Sequence, residues 1–234
     1  MRSVLLVAAA AAVGFPSASA ADPYSDYSIK QTRQLAYEYA KCVVTRHYAA
    51  ASEALLNNVD NRTMMEKYRA LIDGDCLVRS THSSAKMSFP GDLYRYALAD
   101  ALVARELSST AVADLSKVPP IARGSPPEPP VALPANASKA DRKRYEDALT
   151  SFSEAQSFRV LGEYGECVVR ENPTAARALL GTEPETAAEN SSFEALRPTF
   201  AECLPEGTTL TFGKVVLRGT IAENYYRLVH SMHL

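Results

Sequence analysis

The chain has 234 residues, with 25 Lys+Arg against 27 Asp+Glu, four cysteines and no tryptophan. A formal net charge of −2 without a clustered basic stripe argues against a nucleic-acid-binding surface. The densest basic run, Arg142-Lys143-Arg144, is flanked by Asp141, Glu146 and Asp147, which reads as a solvated helix face.

Residues 1–20 have the three parts of a secretory signal peptide. Arg2 supplies the positive start, Val4 to Val13 the apolar stretch, and Ala18-Ser19-Ala20 the small residues of a cleavage site after the breakers Gly14 and Pro16. The apolar stretch is too short for a permanent span, which needs about 20 residues. The expected mature chain starts at Ala21 or Asp22, carries no membrane anchor, and is periplasmic or secreted.

Beyond the leader the dominant period is helical. Leu35, Tyr39, Cys42, Val43 and Arg46 make one stripe of a first helix. A short helix at about His47–Leu56 ends near Asn57-Asn58. A third covers Asn61–Asp73 and is ended by Gly74. An extended polar stretch, Ser80–Ser88, precedes a last helix from about Gly91 to Leu107.

From Lys117 to Pro134 the chain reads KVPPIARGSPPEPPVALP. Proline fixes φ and removes donors, so this stretch excludes a regular helix or central strand. The expectation is a semi-rigid spacer over 117–137.

The elements after the spacer repeat those before it. Ser138, with Asp141 three residues on, caps a long helix from about Lys139 to Arg170. Asn172-Pro173 starts a short helix that stops at Gly181. A third element covers about Ser191–Glu202, where Pro198 suggests a kink or late start. A polar stretch, Glu206–Thr211, leads to a last helix from Gly213 to His230.

The wording repeats as well. EYAKCVV at Glu38–Val44 answers EYGECVV at Glu163–Val169, and Ala54-Leu55-Leu56 answers Ala178-Leu179-Leu180. Asp75-Cys76-Leu77 answers Glu202-Cys203-Leu204. Phe89, Arg95, Ala99 and Asp100 answer Phe212, Arg218, Ala222 and Glu223. Collinear words of this kind mark a tandem duplication. The expected fold is all-α: two tandem, duplicated four-helix-like domains, 22–116 and 138–234, each stapled by one disulfide and joined by the proline-rich linker.

An even number of cysteines in an exported chain reads as disulfides. Four cysteines allow three connectivities. A unit copied whole carried its own pair, so the duplication selects Cys42–Cys76 and Cys167–Cys203. Each pair closes a loop of about 35 residues, worth ~3–4 kcal/mol on the chain-entropy model. Two further equivalences suggest an ion pair within each copy, Glu38 with Arg95 and Glu163 with Arg218.

Catalytic patterns are sparse. There is no G-x-G-x-x-G, P-loop, H-E-x-x-H, G-x-S-x-G or EF-hand loop. Ser83-Ser84-Ala85-Lys86 fits S-x-x-K but lacks its S-D-N and K-T-G partners, and the second copy has no equivalent. His230 and His233 form H-x-x-H on a terminal turn, short of the ligands a metal site needs. No catalytic residue, metal or cofactor is assigned. The 12 tyrosines suit small cores whose rings reach the surface.

The wording Cys167–Arg170, Ala176–Leu180 and Cys203–Pro205 resembles that of a group of uncharacterised exported helical proteins of Gram-negative bacteria with paired cysteines. The resemblance covers mainly the second half; the first departs from it at Thr45 and Val78. It implies export and helices, and no known activity. The expected function is therefore non-catalytic, binding a protein or cell-envelope component, with a hydrolase-like enzyme of dispersed site as the alternative.

Overall fold

His47 breaks the first helix. Its backbone (φ −128°, ψ 38°) leaves the helical region inside α1, Ile29–Leu56, so the element is two helices joined at a kink. The computed structural model describes residues 29–59, 61–81, 93–107, 114–134, 136–204 and 212–232. Among these the protein is all-α, with eight helices and no strand.

The second half separates the same two pieces fully. α5 (Lys139–Glu171) ends at Asn172, whose backbone is also non-helical, and α6 (Pro173–Leu180) follows. The local causes are the expected ones. Ser138 Oγ accepts from the Asp141 amide at the start of α5, and Asn172 accepts from the Ala175 amide with Pro173 in the first turn.

The third elements differ between the halves. In the first, α2 (Asn61–Lys67) gives way to a 3-10 turn, Arg69–Leu71. Gly74 does not end a helix, as its position suggested; it begins α3 (Gly74–Thr81). Asp73 is the reason: its carboxylate accepts from the amides of Asp75 and Cys76 and so caps the new helix. In the second half α7 is one helix, Ala187–Glu202, continuing through Pro198, and Thr186 caps it by accepting from the Glu189 amide. Ser80 lies in α3; most of the polar stretch after it, and Glu206–Thr211, fall outside the described residues.

Each half closes with a helix, α4 (Leu93–Glu106) and α8 (Lys214–Ser231). These two pack along each other at the centre of the molecule. Residues 94–96 and 98–103 of α4 are buried, and so is the unbroken run 218–229 of α8. Where the sequence suggested one core per half, a single hydrophobic cluster runs through both. It includes Val43, Leu98 and Leu102 from the first half with Val168, Leu179, Ile221 and Leu228 from the second.

The proline-rich stretch is more than a spacer. Val118 and Ile121 within it, and Leu115 just before it, are buried in the same cluster. Arg170 on α5 donates to the carbonyls of Leu115, which also accepts from the Val118 amide, and of Val118 and Pro119.

Both expected disulfides are present. Cys42 joins Cys76 and Cys167 joins Cys203, with Cα–Cα distances of 5.5 and 5.8 Å. They tie α1 to α3 and α5 to the end of α7. Such bonds form and persist in an oxidising, extracytoplasmic environment. No helix among the described residues is long and apolar enough to cross a membrane.

Candidate binding site

Two helices buried on every side leave no solvent face for charge, yet α4 and α8 carry Arg95, Asp100, Arg218 and Glu223. The expected pairs, Glu38 with Arg95 and Glu163 with Arg218, do not account for them. Glu38 is exposed and meets Lys41 on its own helix, and Glu163 meets Arg159 one turn away. The arginines reach across the seam instead. Arg95 binds Glu223 at 2.6 Å, and Arg218 binds Asp100 through two hydrogen bonds of 2.7 and 3.0 Å. The exchange is reciprocal: each arginine takes the acid that, in the duplicated wording, is the counterpart of the one on its own helix. This is the self-complementary logic of a two-fold interface, inside one chain.

Each arginine also closes the end of a short helix in its own half. Arg218 donates to the carbonyls of Leu179 and Thr182 and to Thr182 Oγ1, at the end of α6. Arg95 donates to Asn58 Oδ1 and the Val59 carbonyl, just past the end of α1. Terminal carbonyls lack intrahelical partners and present negative partial charge, so a buried guanidinium satisfies both needs. Although burial works against its charge, Asp100 and Glu189 raise the Arg218 pKa. Glu189, fully buried, is held in addition by two hydrogen bonds from Arg33.

Beside the Arg95–Glu223 pair the seam opens into a cleft of ≈ 280 Å³. Its walls come from the end of α1, α4, the proline-rich stretch, α5 and α8. Three arginines line it, Arg123, Arg159 and Arg227, against one carboxylate, Glu223. Arg123 is fixed by Glu166, by the Gly162 carbonyl and by Asn224 Oδ1. Arg159 is held by Glu163 and the Gly124 carbonyl. Arg227 donates to Asn58 Oδ1 and sits 3.6 Å from Glu223. Burial, with Arg95 and Arg123 beside it, pulls the Arg227 pKa down to about 10, against the opposing effect of Glu223. Each guanidinium at the cleft thus has a carboxylate partner, with Glu223 shared between Arg95 and Arg227.

Two glycines on α5 allow close approach, Gly162 at the wall of the cleft and Gly165 against Thr220 and Asn224 of α8. A Cβ on Gly162 would stand 2.9 Å from Arg123 Nε, and one on Gly165 2.4 Å from the Thr220 methyl group. Gly165 and Glu166 are the two residues that distinguish EYGECVV from EYAKCVV. Thr220 itself lines the cleft, is only 2% exposed, and its hydroxyl has no hydrogen-bond partner among the described residues.

The other histidine and serine candidates do not meet here. His47 bonds Asp73 at 2.8 Å and His230 bonds Glu106 at 2.9 Å, both on other faces. His82, His233 and Ser83–Lys86 lie outside the described residues. No cluster of metal-ligating side chains occurs among the described residues. Of the cleft's polar groups the sequence marked only Glu223, through its equivalence with Asp100. Comparison of the chain with protein-family models, curated proteins and solved structures finds no match.

Proposed function

We propose that the protein is a non-catalytic binding protein, exported to the periplasm or secreted, whose binding position is the cleft at the seam of the two halves. The arginine-lined cleft carries this reading. Arg123 and Arg227 are held by buried or partly buried partners, and Arg159 by the exposed Glu163 and the Gly124 carbonyl, before any ligand arrives, which reduces the ordering cost of binding. A concave site with a few convergent polar groups is also where small molecules, or the polar end of a larger envelope component, are taken up. The disulfides support the compartment, and the duplicated halves supply the two walls.

The test uses the mature, disulfide-intact chain as bait against an envelope fraction, beside an Arg159→Glu variant that reverses charge at the cleft's rim. Retention of a partner by the natural chain and its loss in the variant supports the proposal. No retention at high loading, or retention that ignores Arg159, removes it.

A further inference from the structure

A second cleft, of ≈ 460 Å³, opens between α1, α4 and the end of α6. In the repeated wording its residues answer those of the first cleft: Tyr37 stands where Gly162 does, and Ala101 where Asn224 does. The chemistry differs. At the first cleft every guanidinium has a carboxylate partner; at the second the donors outnumber the groups that engage them.

Tyr37 is only 6% exposed. Its ring is already engaged, with Lys41 Nζ 5.1 Å and Arg218 Cζ 5.9 Å from its centre. Its hydroxyl is not. It has no hydrogen-bond partner among the described residues, yet it is not sealed from solvent as the unpartnered hydroxyls of Thr220 and Tyr225 are. Burial, with the charges of Asp100 and Glu183, pushes its pKa up, so the phenol keeps its proton and can donate it.

Arg105, half-buried, lines the same cleft and has no carboxylate partner among the described residues. Nη1 donates to the carbonyls of Val44 and Thr45, and the guanidinium lies 4.7 Å from the centre of the Tyr48 ring, which fixes the side chain. Nε and Nη2 keep their donors for another acceptor. Lys41 adds a second positive charge, shared between Glu38 at 3.3 Å and Glu183 at 3.5 Å. Glu183 is the one carboxylate in the lining, and its side chain is 59% exposed. It therefore sits at the rim and can swing away at little cost. Ala101 and Ala104 keep the wall between these groups low.

We propose that this second cleft binds a small oxyanion, a carboxylate or phosphate group, through the Tyr37 hydroxyl, the Arg105 guanidinium and Lys41 Nζ, displacing Glu183 from Lys41. A guanidinium fork beside an ammonium and a phenol suits the several oxygens of such a group. The site stands apart from the first cleft, so the two readings fail separately.

The experiment is an NMR titration of the full mature chain, with ring-labelled tyrosine, against butyrate, inorganic phosphate and neutral butyramide. Butyrate or phosphate shifts the Tyr37 signal saturably, and butyramide does not. The anion that saturates at the lower concentration identifies the head group. Tyr37→Phe removes a hydroxyl without a partner, so thermal unfolding is unchanged, and it weakens the anion about tenfold, read from the Tyr48 ring beneath Arg105. Glu183→Gln removes the competing carboxylate and tightens the anion.

A Tyr37 signal that neither anion shifts overturns the proposal, as does butyramide acting as well as butyrate. Affinity untouched by Tyr37→Phe overturns it too. Arg159→Glu, at the first cleft, leaves the anion affinity unchanged; its loss there would place the anion at the first cleft instead. If the anions fail while the envelope bait still captures a partner through Arg159, this proposal falls and the first cleft keeps its function.

Discussion

Arg218 on α8 grips Asp100 on α4 with two hydrogen bonds, of 2.7 and 3.0 Å, at a point where both side chains are at most 7% exposed. Removing one member of such a pair strands the other in the interior. Asp100→Leu or Arg218→Met is therefore expected to destabilise by about 3–5 kcal/mol, read as a lower urea midpoint. The double variant recovers part of the loss, because a buried ion pair is replaced by apolar contact. Recovery stays incomplete, since Arg218 also serves the carbonyls at the end of α6 and Glu189. Additive losses in the double variant would count against the coupling.

Gly219 lies one residue on, and its absent side chain brings α4 and α8 together. A Cβ there would stand 2.2 Å from Tyr96 Cβ, an atom fixed to the backbone that has nowhere to turn. Gly219→Ala gains ~1 kcal/mol in helix propensity, and forcing the helices apart costs more, so a net loss of about 1–3 kcal/mol is expected. Gly74→Ala is the control. Nothing lies within 4 Å of its Cβ position and it starts α3. It should be neutral or stabilising by up to about 1 kcal/mol. Thermal unfolding of the two variants side by side decides.

Acid should weaken the fold at identifiable places. Asp73, Glu106 and Glu166 are each held below the ordinary carboxylate values of 3.8 and 4.5. Burial opposes their charge. It is outweighed at Asp73 by His47, at Glu106 by His230 and Tyr48, and at Glu166 by Arg123 and Arg170. A carboxylate depressed in the folded state contributes stability that is fully present above its unfolded pKa. That stability is lost as pH falls through the folded pKa. Urea midpoints should therefore hold from neutrality down to the ordinary carboxylate range and fall below it. Glu166→Gln should lower the neutral plateau and flatten the acid limb. An unchanged slope in that variant would show that the proline-rich stretch is not anchored through Glu166.

The local signals were legible in the sequence and the central ones were not. Ser138 and Asn172 cap amides three residues on, and Pro173 fixes its own φ in the first turn, so their sequence context is their structural context. The disulfide map followed from the repeated wording, which places one pair of cysteines in each half at nearly the same spacing. α3 was missed because Gly74 resembles a helix stop, whereas the deciding group is the Asp73 carboxylate before it. The ion pairs were misjudged for a physical reason. Arg95 and Asp100, like Arg218 and Glu223, recur in both halves, yet recurrence alone does not say whether an interaction stays within a copy or crosses between copies. The burial of α4 and α8 on every side decides for crossing. The cleft was beyond reach, since Arg123, Arg159 and Arg227 stand on three separate segments and meet only through the packing of the seam.

The disulfides bear on each half separately. Reduction should lower stability by ~3–4 kcal/mol per bond on the loop-entropy model, given separations of 34 and 36 residues. Paired Cys→Ala variants, one bond at a time, distinguish their shares through the shift in melting temperature. Cys42 sits on α1 and Cys167 on α5, at corresponding places, so the two shifts should be of similar size. A large effect from one pair and none from the other would show that one half is held by its packing alone.

The seam makes a stronger claim about the halves themselves. Fragments 22–137 and 138–234 each retain a disulfide, but each loses the buried partner of its own arginine and acid. Arg95 and Asp100 are left without Glu223 and Arg218, and the reverse holds in the other fragment. The apolar faces of α4 and α8 also lose their main cover. Each fragment alone should lack cooperative unfolding and near-ultraviolet dichroism. Mixing the two should restore both signals, with a midpoint that rises with concentration, as linkage requires for an associating pair. Arg218→Met in the second fragment should abolish the restoration. A half that melts cooperatively by itself would show that each unit has a sufficient core and that the reciprocal ion pairs only orient two finished domains.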